Sequence, residues 1–252
     1  MRSIRIYTPQ PLQAQSESEL EPEARHHLLQ VLRLRSGDSI TLFNGDGHDY
    51  LARLTHADRK EAWAEIVQRS APEPPATLRI RLAIAVSKGE RMDFAIQKSV
   101  ELGVAEITPL ISSRSVVRLS PERMQKRLDH WQRILVAACE QSGRRRLPQL
   151  NPVQEFGLWC NARIVDPVPA LVLDHRAEST LEQLPEPGSE IALLAGPEGG
   201  FSAEELAAAS SAGVRAVRLG PHVLRTETAP LAALAAIHAL WGDFRSASSA
   251  EV

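Results

Sequence analysis

A proline-rich segment divides the sequence into two parts with different hydrophobic patterns. Residues 71–75 read Ala-Pro-Glu-Pro-Pro. Because proline fixes φ and lacks a backbone donor, this segment favours an extended linker and disfavours a helix. Before the linker, residues 1–70 contain several short apolar runs, one helical pattern at 23–32, and a strong turn signal, Asn-Gly-Asp-Gly, at 44–47. This combination predicts a small β-barrel.

After the linker, the apolar pattern alternates between strands and helices. Alternating or continuous apolar runs predict strands, and amphipathic stretches between them predict helices. The predicted strands lie at 78–86, 105–111, 170–173, 191–195 and 214–219. The predicted helices lie at 91–102, 121–139 and 230–244. Repeated units of this kind predict an α/β domain at residues 76–252, with a parallel sheet covered by helices on both faces.

The formal net charge of −2 conceals an uneven distribution of charge along the chain. Residues 76–150 carry 14 Lys and Arg against 7 Asp and Glu, whereas residues 151–252 carry 6 against 13. A basic segment in a nearly neutral protein suits the binding of a polyanion such as nucleic acid. Two halves of the protein that attract each other would give the same counts, so charge alone leaves both readings open.

Several classes of protein lack support in the sequence. The N-terminus has no apolar segment of the kind found in secretory signals, and the apolar run at 231–237 is shorter than the roughly 18 residues of a membrane span. Cys139 and Cys160 form no CxxC pair, and no histidines have HExxH spacing. These features predict a cytoplasmic, soluble protein without a membrane or metal partner.

Two glycine-rich loops follow predicted strands. The sequence Gly-Pro-Glu-Gly-Gly at 196–200 follows one strand, and the loop at 220–230 follows the next. Ligands of open α/β sheets bind at the carboxyl ends of the strands, so we expect both loops to lie side by side and form one pocket for a small polar ligand. The first loop matches neither dinucleotide-binding nor P-loop spacing. For either loop alone, an ordinary strand-to-helix turn is the alternative.

These loops, together with shorter motifs, resemble the SPOUT superfamily of RNA methyltransferases, and most closely its RsmE-type members. The resemblance lies in LLAGPEGGFS at 193–202 and RLGPHVLRTETA at 218–229. Further similar motifs occur in the same order as in that family: HLLQVLRLR at 27–35, KSVELG at 98–103 and EQSGR at 140–144.

The resemblance implies an S-adenosylmethionine-dependent enzyme that methylates N3 of a uridine in 16S ribosomal RNA of the small subunit. It implies a PUA-like, RNA-binding β-barrel at 1–70 and a SPOUT domain at 76–252 whose chain forms a trefoil knot. The cofactor is then expected within the knot, at a homodimer interface. By the same resemblance, the residues that surround the cofactor are Leu194, Gly196, Glu198, Gly199, Gly200, Leu219, Gly220, Leu224, Thr226 and Thr228.

Methylation at N3 requires removal of the imide proton, by a general base or with a cation that stabilises the developing imidate oxygen. Arg225 is our candidate for that cation, and the alternative is a solvated or dimer-bridging arginine. Glu198 is the second catalytic candidate, although it equally suits the capping of nearby backbone N–H groups. No residue is assigned as the base.

Five arginines are the candidates for RNA binding. Arg33 and Arg35 lie in the predicted barrel, and Arg144, Arg145 and Arg146 form a run that suits either a phosphate clamp or a solvated loop. Two other functions stay open at this point. One is another SPOUT specificity, such as ribose 2′-O-methylation, and the other is a non-catalytic RNA-binding assembly factor.

Overall fold

A computed structural model describes residues 4–58, 60–115 and 120–245. The chain forms two compact units. Unit 1 comprises residues 1–75 together with 136–147, and unit 2 comprises residues 76–135 together with 148–252. The first crossing between units falls at the end of the proline-rich linker. The sequence pattern gave no sign that 136–147 belongs with unit 1.

Unit 1 is built on a five-stranded sheet around one apolar core. Its strands are β1 (Arg5–Tyr7), β2 (Glu17–Glu19), β3 (Ser39–Phe43), β4 (Tyr50–Ala57) and β5 (Ala62–Arg69). The sheet order is β1-β3-β4-β5-β2, in which only the β1–β3 pair is parallel. Alternation buries one face of each long strand, as in β4, where Tyr50, Ala52 and Leu54 are all 1% exposed.

The helical segment of unit 1 differs from its prediction. We expect one helix at 23–32, but α1 (Pro22–His26) is followed by a π-helical turn at His27–Val31. The wider turn is closed by a hydrogen bond from Leu32 N to His27 O of 3.0 Å. Leu28 is fully buried in the unit 1 core.

Unit 2 contains seven strands and most of the helices that the structure describes. The strands are β6 (Arg79–Ala85), β7 (Glu106–Ile111), β8 (Gln149–Leu150), β9 (Gln154–Glu155), β10 (Ala170–Leu173), β11 (Glu190–Ala195) and β12 (Arg215–Val217). The helices are α2 (Glu90–Glu101), α3 (Pro121–Ser142), α4 (Phe156–Arg163), α5 (Ala203–Ser211) and α6 (Thr228–Trp241), with a 3₁₀ turn at Leu181–Gln183. The last residues of α3 belong to unit 1.

All strands of unit 2 pair in parallel, so the predicted α/β class is confirmed. The order is β12-β10-β11-β6-β7-β8, and β9 also pairs with β7. The expectation that the strands before the two glycine loops are neighbours is wrong, because β10 lies between β11 and β12. In parallel sheets the crossover helices let chain order and sheet order differ. The strand predicted at 214–219 is also shorter, because β12 is an edge strand that pairs only with β10 over three residues.

Candidate active site

Both glycine loops line one cavity of about 570 Å³ at the carboxyl ends of β10, β11 and β12. The first loop contributes residues 195–200 and the second contributes residues from 217 to 229. The expectation of a single pocket formed by the two loops is therefore confirmed. The cause differs from the one expected, because a third strand end separates the loops and adds Leu173, Asp174 and His175 to the wall.

Most residues that the resemblance assigns to the cofactor line this cavity. Those in its wall are Gly196, Glu198, Gly199, Gly200, Leu219, Leu224 and Thr226. The other three lie close by in sequence but outside the wall. Leu194 is fully buried in β11, Gly220 forms a turn with φ of +107°, and Thr228 is the first residue of α6.

The first loop requires a glycine at residue 200. Gly200 has φ of +66°, and its N–H donates to Pro197 O at 2.8 Å to close a tight turn. An L-residue is strained in that left-handed region, whereas glycine is not. Gly199 does not share this conformation, and a Cβ placed there would lie 3.4 Å from Cδ of Arg114.

The end of the first loop is fixed by a capping box formed by Ser202 and Glu205. Ser202 Oγ accepts from Glu205 N at 3.2 Å, and Glu205 Oε2 accepts from Ser202 N at 2.8 Å. Glu205 Oε1 also accepts from Ser113 N at 2.7 Å, which connects the start of α5 to the segment after β7. Both orphan N–H groups at this helix start are thus satisfied.

Two further side chains hold the carbonyl groups of the first loop. Thr226 of the second loop donates its hydroxyl to Gly196 O, and Arg114 Nη1 donates to Gly199 O at 2.8 Å. The Thr226 hydroxyl is therefore used to join the two loops, although its side chain also lines the cavity. Arg114 was not anticipated from the sequence.

Glu198 lies between cationic and backbone donors. Its Oε1 accepts from Lys88 N at 3.3 Å and from Arg91 Nη1 at 3.0 Å. Burial raises the pKa of the Glu198 carboxyl, but the backbone N–H groups of Glu198 and Lys88 and the Arg91 guanidinium more than offset this, so the pKa lies below its usual range. The Glu198 carboxylate is therefore ionised at neutral pH and is a poor proton acceptor. Its hydrogen bonds to Lys88 N and Arg91 instead hold the first loop in place.

The wall contributed by β10 holds a second carboxylate in a similar arrangement. Asp174 Oδ1 accepts from the backbone N and from Nε of Arg176, both at 3.0 Å. Burial raises the pKa of Asp174, and the bonds and charge of Arg176 lower it further than burial raises it. Asp174 lines the cavity beside the two loops. Its position after a buried strand is the signal from which it could have been found.

Arg225 lies in the cavity wall with an exposed side chain. Its carbonyl accepts from Thr228 N and Ala229 N, both at 2.9 Å, which starts α6. Among the residues that the structure describes, its guanidinium has no hydrogen-bond or ion-pair partner. The positive charge of Arg225 is therefore not neutralised by a carboxylate among these residues; the same holds for Arg218, which also lines the cavity and donates only to the carbonyl of Ala177.

The arginine run at 144–146 makes more hydrogen bonds and ion pairs within unit 1 than a solvated loop would. Arg145 pairs through Nε with Asp49 Oδ2 at 3.0 Å and donates through Nη1 to Ala71 O at 2.7 Å. The backbone N–H groups of Arg145 and Arg146 both donate to Glu73 Oε2, at 3.1 and 2.8 Å.

The side chains of the other candidate arginines differ in exposure. Burial lowers the pKa of Arg144, whose carbonyl accepts from Arg5 Nη2 at 2.9 Å. Arg146 is exposed and lies against Gly47, where an added Cβ would be 2.7 Å from Nη2. Arg33 and Arg35 are exposed. Of the run, Arg146 is thus the residue whose side chain best suits contact with a ligand in solution.

Two kinds of feature are absent from the parts of the chain that the structure describes. Within residues 4–58, 60–115 and 120–245, no three His, Cys, Asp or Glu side chains gather as a metal site would need. Across the same ranges, no helix has the length and apolar character that crossing a membrane requires.

Models of known families match both parts of the chain. A model described as RNA methyltransferase domain matches residues 74–238, and one described as RNA methyltransferase PUA domain matches residues 20–67. The ribosomal RNA small subunit methyltransferase E of Buchnera aphidicola subsp. Schizaphis graminum is 33% identical over 242 residues, covering 96% of this chain and 98% of the relative. The protein of the same name from Bacillus subtilis is 28% identical, with 91% and 93% covered.

Solved structures are similar over nearly the whole chain. The ribosomal RNA small subunit methyltransferase E from Neisseria gonorrhoeae, bound to S-adenosyl methionine, has a TM-score of 0.92 and 41% identity, covering 97% of this chain and 100% of that chain. A methyltransferase from Legionella pneumophila in complex with the same cofactor also has a TM-score of 0.92 and 41% identity, with 96% and 100% covered.

Proposed function

This chain belongs to the RNA methyltransferase family that includes ribosomal RNA small subunit methyltransferase E, and we propose that it methylates N3 of a uridine in 16S ribosomal RNA. The family expected from the two loop sequences is thereby confirmed. The observation that carries the proposal is the cavity between these loops, together with the 41% identity to a relative that was solved with S-adenosyl methionine.

The residues around the cavity fit that cofactor. A volume of about 570 Å³ lies within the range of small-molecule sites. Leu173, Leu219 and Leu224 offer apolar contacts for an adenine ring, and the backbone groups of the first loop can approach polar atoms closely. Bound there, the cofactor supplies a methyl group on a sulfonium.

We assign the stabilisation of the reacting base to Arg225. As N3 loses its proton, negative charge spreads to the neighbouring carbonyl oxygens of uracil. The Arg225 guanidinium can donate hydrogen bonds to one of these oxygens without first breaking an ion pair. One such donor typically stabilises the transition state by about 2.7–4 kcal/mol. We assign Glu198 to the positioning of the first loop through Lys88 N and Arg91, because its low pKa makes it a weak base.

The remaining parts of the proposal concern assembly and RNA binding. We propose a barrel at 1–70 that binds RNA through Arg33 and Arg35, and a knotted catalytic domain at 76–252. Arg146 belongs to the same structural unit as the barrel, and we propose that it also contacts the RNA. The protein acts in the cytoplasm, where small ribosomal subunits form. We also propose a homodimer that covers the second loop, because Val223 in that loop is apolar and 74% exposed.

The proposal is tested with methyl-labelled cofactor and small ribosomal subunits from a strain that lacks the modification. Purified protein should transfer label to 16S RNA, and mass spectrometry of the digested nucleosides should identify N3-methyluridine. A ribose 2′-O-methylated nucleoside would replace the assigned specificity with another. Binding of RNA without cofactor binding or label transfer would indicate an assembly factor and refute the enzyme.

A further inference from the structure

All the lysines, arginines and histidines of α3 project from one side of that helix. At 3.6 residues per turn they fall within about a third of its circumference. This set, the α3 stripe, lies in the part of α3 that belongs to unit 2 and comprises Arg123, Lys126, Arg127, His130 and Arg133. Four of the five side chains are exposed and Arg127 is half-buried. With a rise of 1.5 Å per residue, the stripe is about 15 Å long.

The helix that carries the stripe is attached to α2, close to the cavity. Trp131 is 1% exposed and donates through Nε1 to Asp93 Oδ1 at 3.2 Å, and His130 Nε2 lies 2.8 Å from Asp93 Oδ2. Asp93 follows Arg91 by two residues of α2, which is a rise of about 3 Å. Arg91 lines the cavity and donates to Glu198. The stripe therefore contacts α2 within one helical turn of the cavity wall.

The positions of these cations do not favour the helix itself. Arg123 is the third residue of α3, where the helix dipole disfavours positive charge. Lys126 and Arg127 follow Arg123 by three and four residues, and like charges at these spacings repel each other. Helix stability therefore does not explain why the positive charges lie together on this side.

Nearby carboxylates do not neutralise the stripe. Glu122 and Asp129 precede Lys126 and Arg133 by four residues, the spacing at which an acid and a base can pair along a helix. Neither pair forms, and Asp129 accepts instead from Gln125 Nε2 at 2.9 Å. Within the described ranges, the lysine and the three arginines of the stripe have no hydrogen-bond or ion-pair partner for their side chains.

A surface of this composition suits a polyanion better than a protein partner. Protein interfaces are depleted of lysine and have an apolar centre. Among the described residues, α3 has no large apolar side chain that is exposed. A nucleic-acid strand, in contrast, presents one negative charge at every nucleotide. A base that enters the cavity must leave its stack, so the backbone on either side of it has to be held outside the cavity.

We propose that the α3 stripe binds the sugar-phosphate backbone of the ribosomal RNA next to the target uridine. The inference rests on the proposed function, because its ligand is the RNA substrate, and it adds a contact on unit 2 to the one proposed for unit 1. Contacts to phosphate fix the position of the RNA and carry no sequence information. The stripe is thus expected to hold the strand while the cavity selects the base.

The test is the triple variant Arg123→Gln, Lys126→Gln and Arg133→Gln, which removes three exposed charges and keeps good helix formers. Binding to unmodified small ribosomal subunits is measured at several salt concentrations between about 50 and 200 mM. The slope of log K against log salt should fall by roughly 2–3, at 0.7–0.9 per lost phosphate contact. If the affinities converge near 1 M salt, that slope means about 100- to 500-fold weaker binding at 0.1 M.

Matched variants separate charge from folding. Glu122→Gln with Asp129→Asn removes two charges from the same helix outside the stripe, and its RNA affinity should equal or exceed that of the wild type. Arg123→Lys with Arg133→Lys keeps the charges, so the salt slope should be retained. The triple variant should keep the wild-type Kd for S-adenosylmethionine in calorimetry. Its thermal midpoint should not fall, because the substitutions relieve like-charge repulsion.

The inference is overturned if the triple variant keeps both the affinity and the salt slope of the wild type. It is also overturned if Glu122→Gln with Asp129→Asn weakens binding as much, since a disturbed helix would then be responsible. Self-association that weakens in analytical ultracentrifugation while RNA affinity is retained would assign the stripe to an acidic surface of a second copy. Failure of the proposed function differs from all of these, because the wild type itself would then neither bind S-adenosylmethionine nor transfer label to the subunits.

Discussion

Gly200 is the position where a single side chain should separate cofactor binding from folding. Its φ of +66° is required for the turn that Gly200 N closes on Pro197 O. Within the part of the chain that the structure describes, no atom lies within 4 Å of a Cβ placed there, so a substitution meets backbone strain and not a collision. For Gly200→Val that strain is about 1–3 kcal/mol, and the loop relaxes away from its turn to avoid it.

Cofactor binding must then restore the strained turn, so the strain energy is subtracted from the binding free energy. The Kd for S-adenosylmethionine should therefore rise by about 5- to 150-fold. Isothermal titration calorimetry measures the change directly. Gly188→Val is the matched control, since Gly188 has φ of +79°, has open space around its Cβ, and lies before β11 instead of after it. Both variants should lose similar thermal stability, but only Gly200→Val should lose affinity. Wild-type affinity in Gly200→Val would refute the assignment of this loop to the cofactor.

Three further predictions concern single side chains. Arg145→Ala should lower the free energy of unfolding by about 1.5–3 kcal/mol in a urea titration, because the partly buried Asp49 loses one cation; an unchanged midpoint would contradict this. Thr226→Val should raise the cofactor Kd by about two- to tenfold with unaltered circular dichroism, and equal affinity would mean that the loops stay joined without the hydroxyl. Burial raises the pKa of Cys139 and Cys160 to about 11, so neither thiol should react with Ellman's reagent at pH 8 until denaturant is added.

The strands of unit 2 were predictable because buried parallel strands have a simple signature. The apolar run at 170–173 is β10 residue for residue, and 191–195 is β11 without its first residue. Their order in the sheet was not predictable from the same runs, since each run is equally apolar on both faces and carries no mark of its neighbour. For the same reason the short strands β8 and β9 were missed, because two residues show no periodicity.

The glycine loops were found because each is a stretch rich in glycine and proline that directly follows a predicted strand. The residues that hold the first loop come from elsewhere: Arg91 is the second residue of α2, and Arg114 follows β7. Both lie beyond the carboxyl end of a parallel strand, so the rule that located the loops also applies to them. Charged side chains are common after strands, however, so position alone does not single out Arg91 or Arg114. Which loop such a side chain contacts depends on the order of the strands in the sheet.

Charge counting left the role of the arginine run open for a related reason. Three adjacent arginines look the same whether they face solvent or carboxylates, and the carboxylates that meet this run, Asp49 and Glu73, lie far away in the sequence. The count for residues 76–150 includes all three arginines and does not show which of them meet carboxylates. In the structure, part of that positive charge is neutralised within unit 1.

Different tasks can be assigned to three of the charged side chains around the cavity. Glu198 and Asp174 are each ion-paired with an arginine, Arg91 and Arg176, and each pair lies at the end of a different strand. Each pair holds its loop in place, and the two opposite charges of a pair largely cancel. Arg225 is different, because its guanidinium has no partner among the described residues and lines the same cavity. The Arg225 guanidinium can therefore stabilise the negative charge that develops on the base. An arginine with an ion-pair partner would first have to lose that partner.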